Sequence, residues 1–273
     1  MQRNFLLNIY ITLLLVAVML LAGCSSSSEP EDTQWQLVWS DEFDGADGQV
    51  LDSTKWAFDV GTDWGNAQLE FDTDRPENAS LDGQGHLAIV ARAEPYQNRL
   101  YTSARITTKD RFEPTYGRIE ARMQLPWGQG IWPAFWMLGA NIDDIGWPAC
   151  GEIDIMEYRG QEPTKIAGSL HGPGYSGAQP VTQNFQIAND RFDTGFHVFA
   201  VEWSADEIRW YVNETLYQTV RPADVPGEWV YNHSFYIILN LAVGGNYVGP
   251  PNSSTVFPQT MLVDYVRVYE AAP

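Results

Sequence analysis

Apolar and polar residues alternate with a period of two along much of this chain. Between Arg118 and Leu125, the apolar Ile119, Ala121, Met123 and Leu125 interleave with Arg118, Glu120, Arg122 and Gln124. Successive strand side chains point to opposite faces, so this segment reads as a strand with one apolar and one wet face. Residues 87–91, 196–203, 208–212, 235–241 and 261–269 are rich in aromatic and β-branched residues and read as further strands. Turn-forming clusters separate them: Asp82 with Gly83, Gly172 to Gly174, Gly244 to Asn246, and Gly249 to Asn252. Past residue 23 no segment sustains a 3.6-residue period. Two prolines between Arg221 and Gly227 allow one helical turn at most. Many strands and almost no helix predict an all-β fold, a β-sandwich of jelly-roll type, in a single domain over residues 35–273.

The first residues follow a different pattern. Arg3 precedes a ten-residue apolar run at 13–22, and Asn8 and Thr12 interrupt any longer one. A spanning helix needs ~20 apolar residues, so residues 1–23 read as an export signal rather than a membrane span. The run ends in LAGC (21–24), which resembles the lipobox of bacterial lipoproteins and predicts lipid attachment at Cys24. Residues 24–34 then form a Ser-rich, acidic tether. The sequence thus predicts an exported protein, held at a membrane through lipid alone. A plain signal peptide or an uncleaved anchor is the alternative.

Charge changes the picture by exclusion. The 273 residues carry 16 Lys and Arg against 35 Asp and Glu, a net charge of -19. That argues against a nucleic-acid partner, because phosphate contacts need clustered basic side chains. Two cysteines, one of them assigned to lipid, leave Cys150 as a free thiol and no disulfide scaffold. Four scattered histidines do not make a typical zinc site. The 11 Trp, 13 Tyr and 12 Phe exceed what a core alone asks for, and Trp also stacks on flat apolar faces.

The segment 151–158, GEIDIMEY, concentrates the chemistry. Alternation puts Glu152 and Asp154 on one face and Ile153 and Ile155 on the other. Strict alternation would then bury Glu157 in the core, at a high cost. A one-residue bulge at Ile155–Met156 returns Glu157 to the acid face. A solvated sheet face or a cation site is the plainer reading. Like charges on neighbouring same-face positions are destabilising, however. They also push carboxyl pKa values apart, which lets one acid stay ionised while another holds its proton. Glycoside hydrolysis requires that division of roles.

The acid segment resembles the active-site signature of glycoside hydrolase family sixteen, in the bulged form of its laminarinase-like members. The resemblance runs through WSDEFD (39–44), YTSAR (101–105), YGRIEAR (116–122), GIWPAFWML (130–138), GWPACGE (146–152), HGPGYS (171–176), LNLAVGG (239–245) and FPQTMLVDYVRVY (257–269). It implies a concanavalin-like jelly roll with a cleft on its concave face. It also implies a retaining endo-β-1,3-glucanase, with Glu152 as nucleophile, Glu157 as general acid/base and Asp154 between them. Trp132, Trp136 and Trp147 would line the cleft, Asn66 and Arg105 would bind sugar hydroxyls on the non-reducing side, and His171 would stand near the acids. Trp35, Trp39, Trp56 and Trp203 are left to the core. No catalytic cofactor is implied. A structural calcium is, on the carboxylate of Asp264 and backbone oxygens near Glu42 and Gly85. The protein is expected to act as a monomer on a β-glucan. The same chemistry on mixed-linkage glucan or a galactan, transglycosylation, and a non-catalytic lectin on the same fold stay open. The chain departs from the family in two places: family members often have Asn-Glu-Leu-Gln where Ala67, Gln68, Leu69 and Glu70 stand, and Trp-Pro where Tyr247 and Val248 stand.

Overall fold

The computed structural model describes residues 33–272. The export signal, Cys24 and most of the tether lie outside the described residues. The first strand begins at Trp35, where the sequence reading starts the domain. In chain order the strands are β1 Trp35–Asp41, β2 Ala57–Phe58, β3 Glu70–Asp72, β4 Ala79–Leu81, β5 Leu87–Tyr96, β6 Arg99–Ser103, β7 Arg105–Thr107 and β8 Gly117–Gln124. There follow β9 Ile131–Gly139, β10 Glu152–Tyr158, β11 Lys165–His171, β12 Val181–Gln186, β13 His197–Trp203, β14 Ile208–Val212, β15 Thr215–Val220, β16 Phe235–Val243 and β17 Gln259–Ala271. Among the described residues helix is confined to one turn at Ile142–Ile145 and a 3-10 turn at Pro222–Asp224, the segment its prolines limited.

The strands form two sheets. One has seven strands in the order β12-β11-β10-β9-β16-β7-β2. The other has ten, with β15-β14-β13-β8-β17-β5-β6-β3 as its path and β1 and β4 at its margins. This is the predicted sandwich. Its core is the set of residues that alternation turns inward from both sheets. Phe135 and Met137 of β9, Ile237, Leu239 and Leu241 of β16, Ile119 and Met123 of β8, and Val263 and Val266 of β17 are all fully buried.

The bulge in β10 forms where it was predicted. Asp154 pairs with Ser169 and Glu157 with Ala167, so Ile155 and Met156 together face Gly168. Both turn into the core. The opposite sheet braces the bulge: the indole N–H of Trp210 donates to the Asp154 carbonyl at 2.8 Å. A Cβ at Gly168 would sit 2.5 Å from Trp210 Cδ1 and 2.4 Å from the Tyr217 hydroxyl, so this approach requires glycine.

Two expectations need correction. The polar face of β8 is not wet throughout, because Arg118 and Glu120 are only 7% exposed. Arg118 lies between Glu120, Glu202 and Glu214 and over the Tyr211 ring, so ion pairing and aromatic cover replace water. Of the four tryptophans left to the core, Trp56 and Trp203 are in it and Trp39 packs on its edge. Trp35 is only partly buried and stays outside, on a strand whose one partner is β17.

Candidate active site

A cleft of about 920 Å³ crosses the seven-stranded sheet, from Arg105 on β7 to Asn184 on β12. Its floor is the outward face of the strands. Trp132 and Trp136 share that face of β9, and β10 contributes Glu152, Asp154 and Glu157. The predicted Asn66, Arg105, Trp147 and His171 also line it.

Each of the two outer carboxyls has its own donor. Trp147 donates its indole N–H to Glu152 Oε2 at 2.8 Å, and Trp132 donates to Glu157 Oε1 at 3.2 Å. His171 Nε2 lies 3.1 Å from Asp154 Oδ2 and 3.7 Å from Glu152 Oε1. The backbone N–H of Gly177 donates to His171 Nδ1 at 3.1 Å. With Nδ1 accepting, the ring hydrogen of the neutral imidazole sits on Nε2, facing the two acids.

All three carboxyls are pushed up. Burial raises Glu157 well above the usual carboxylate range, and the charges of Asp154 and Glu152 add to it. Burial and the charge of Asp154 raise Glu152 to about 8, against the pull of His171 and the Trp147 N–H. Burial raises Asp154 to about 7, against a hydrogen bond from Glu152. Glu152 and Asp154 titrate as an interacting pair, and burial together with the two neighbouring charges favours the protonated form of Glu157.

On the β7 side the cleft wall is a stack of planar groups. The Arg105 guanidinium carbon lies 4.8 Å from the ring centre of Trp136 and 4.8 Å from that of Trp64. Trp136 donates its N–H to Asn240 Oδ1 at 2.8 Å, and Arg105 Nε donates to Asp59 Oδ2 at 2.8 Å. Beyond the acids, Tyr247 packs 5.0 Å from Trp132, and Arg159 lies 4.2 Å over the Tyr247 ring. Trp64, Asn240 and Arg159 also line the cleft without being singled out in the sequence reading, and Gln68 lines it from the 67–70 segment where the chain departs from the family. Trp64 stood beside Asn66 in a glycine corner, and that proximity was the one available signal.

The family model for "Glycosyl hydrolases family 16" matches residues 53–265. The chain belongs to glycosyl hydrolase family 16. It is 42% identical to a β-glucanase of Rhodothermus marinus over 91% of both chains. The catalytic domain of an endo-1,3-β-glucanase (laminarinase) from Thermotoga petrophila superposes with a TM-score of 0.84 at 46% identity, covering 88% of this chain and 100% of that one. An endo-β-1,3-glucanase from Pyrococcus furiosus does so with 0.83 at 44%, covering 89% and 97%.

This family 16 domain offers two donor sets to a cation. Glu152, Asp154 and His171 bring three ligand atoms within 4.8 Å of one another. The set does not fit a metal, because Gly177 occupies the Nδ1 lone pair and leaves a hydrogen on the Nε2 that would have to coordinate. The expected calcium ligands are the Asp264 carboxylate and backbone oxygens near Glu42 and Gly85. Asp264 Oδ2 accepts a hydrogen bond from Arg122, and the Glu42 side chain, which is not among those ligands, is held by both Nε and Nη2 of Arg267. Asp264 lies within β17 where the register on β8 shifts between Val263 and Tyr265. Cys150 is free and buried, its thiol pushed up to about 11 by burial and by Glu152.

Proposed function

We propose that this family 16 glycoside hydrolase is an endo-acting, retaining β-1,3-glucanase of laminarinase type. The observation that carries the reading is the bulged β10, which sets Glu152, Asp154 and Glu157 on one cleft face with an indole donor on each outer glutamate. Likeness to proteins named as β-1,3-glucanases supplies the linkage. The cleft crosses the sheet from β7 to β12, which lets a long chain lie through it and supports endo action.

In this mechanism Glu157, whose protonated form burial and the neighbouring charges favour, protonates the leaving glycosidic oxygen. Glu152 attacks the anomeric carbon and forms a glycosyl ester as that bond breaks. Glu157, now a carboxylate, takes a proton from water, whose oxygen displaces Glu152 from the anomeric carbon. Trp132, Trp136 and Trp147 offer faces for sugar stacking, and Asn66 and Arg105 offer hydroxyl contacts. No metal enters any step.

Release of reducing ends from laminarin, abolished by Glu152→Gln, tests the reading. Binding of laminarin without turnover by the unaltered protein would favour a lectin. Faster turnover of lichenan or agarose would move the substrate to a mixed-linkage glucan or a galactan.

We propose further that the enzyme is exported, anchored by lipid on Cys24, and monomeric. The apolar run at 13–22 followed by LAGC supports the anchor. Radiolabelled palmitate incorporation, lost in Cys24→Ala, checks it.

A further inference from the structure

A second pair of buried acids lies behind the β7 side of the cleft. Glu70 and Asp72 share one face of β3 and are 1% and 2% exposed. Neither takes part in the reaction. Glu70 Oε2 accepts the backbone N–H of Val243, at the end of β16, at 2.8 Å. Asp72 Oδ2 accepts the indole N–H of Trp64 at 2.7 Å, while Oδ1 is buried without a partner. A buried carboxyl with one donor is expensive where a neutral side chain would pack.

Trp64 needs such an anchor. It sits on a loop outside the strands, between Asp63 at φ 66° and Gly65 at φ 103°. The loop backbone is tied at its ends, by Gly61 pairing with Asp72 and by Leu69 N–H donating to the Val243 carbonyl at 2.8 Å. Between those ties the indole N–H makes its single hydrogen bond to Asp72. The ring then lies against Arg105, whose Nε is taken by Asp59. The terminal nitrogens of Arg105 have no protein partner among the described residues, and Arg105 lines the cleft.

We propose that Asp72 is a positioning residue for glycan binding: it holds Trp64 by the indole N–H, Trp64 holds Arg105, and Arg105 thereby presents preset N–H donors to the sugar. This rests on the β-glucan reading above. The gain is preorganisation, since a loose indole and guanidinium would have to be ordered when the chain binds. Burial also pushes the Asp72 carboxyl up to about 7, against the Trp64 N–H and the positive charge of Arg105, so the group is held at this spot despite its cost.

The test is steady-state kinetics on laminarin for the unaltered enzyme and for D72L, D72N, W64F and the D72L/W64F double variant. D72L and W64F each cut the bond from one end, and each is expected to raise KM about fivefold with kcat within about twofold. D72N keeps a carbonyl oxygen for the indole and is expected to keep KM within about twofold of the unaltered enzyme. The double variant is expected to match either single one, because both remove the same bond. Unchanged KM in D72L and W64F, a loss confined to kcat, D72N behaving like D72L, or additive losses in the double variant would each overturn the proposal. If D72L fails to fold, W64F and D72N decide it. An unaltered enzyme that does not turn over laminarin overturns the substrate reading, and the positioning role falls with it. Normal turnover with unmoved variants overturns the positioning role alone.

Discussion

Trp210, on the ten-stranded sheet, donates its indole N–H across the core to the backbone carbonyl of Asp154. That carbonyl sits at the start of the bulge that brings Glu157 onto the acid face. The reacting geometry therefore depends on a side chain that never meets the cleft. Trp210→Phe keeps most of the packing and removes the donor. It is expected to lower stability by about 1–3 kcal/mol, the cost of a buried acceptor left unpaired. It should also lower kcat by at least about tenfold, because a small misplacement of reacting groups is costly. Thermal unfolding and kcat on laminarin check the two effects together.

The three raised carboxyls set the pH dependence of turnover. Activity requires an ionised Glu152 and a protonated Glu157, so kcat/KM follows a bell. The acid limb is expected well above the ordinary carboxylate value of 4.5, because burial and Asp154 hold Glu152 at about 8 in the free enzyme. Asp154 raises both glutamates. In Asp154→Asn that charge is gone, and both limbs are expected to move to lower pH, with a reduced maximum. Limbs that stay in place would show that Asp154 does not set the two proton affinities.

Trp147 acts on the same equilibrium from the other side. Its N–H lowers the proton affinity of Glu152. Trp147→Phe keeps a ring for stacking and loses the donor, so the acid limb is expected to shift upward and kcat to fall, with KM within about twofold. A raised KM with normal kcat would make Trp147 a stacking residue only.

Stability should fall as pH rises. Asp72 ionises at about 7 and Glu152 at about 8 in the fold, against 3.8 and 4.5 ordinarily. As pH climbs, the unfolded chain loses these protons first, so the folded state is progressively disfavoured between about pH 4 and 8. Glu70, raised well above its ordinary value by burial and by Asp72, adds to this. Glu70→Gln keeps an oxygen for the Val243 N–H and removes one ionisation, so it is expected to raise Tm at pH 8 much more than at pH 5. An equal shift at both pH values would contradict the linkage.

The acids were legible in the sequence because Glu157 breaks a period of two, and a bulge is the local repair that spares burying a lone charge. Trp132 and Trp136 were placed in the cleft by the family resemblance, and a spacing of four on a strand agrees with their common face. Cleft residues brought in by distant pairing were not legible. Asn240 meets Trp136 across a separation of 104 residues, through the register of β16 on β9. Trp64 and Asp72 gave no periodic signal, because a loop and a three-residue strand are too short to show one. The burial of Arg118 escaped for a related reason. Alternation tells which face a residue is on, and partners such as Glu202 on β13 and Glu214 in the turn between β14 and β15 decide whether that face is wet.

The stereochemical course of the first cleavage tests the central claim most directly. Proton NMR during the first minutes of laminarin hydrolysis reads the anomer of the new reducing end before it equilibrates. Attack by Glu152 followed by water on the opposite face predicts the β anomer first, by net retention. Initial release of the α anomer would mean a single displacement by water, and Glu152 would then not be the nucleophile.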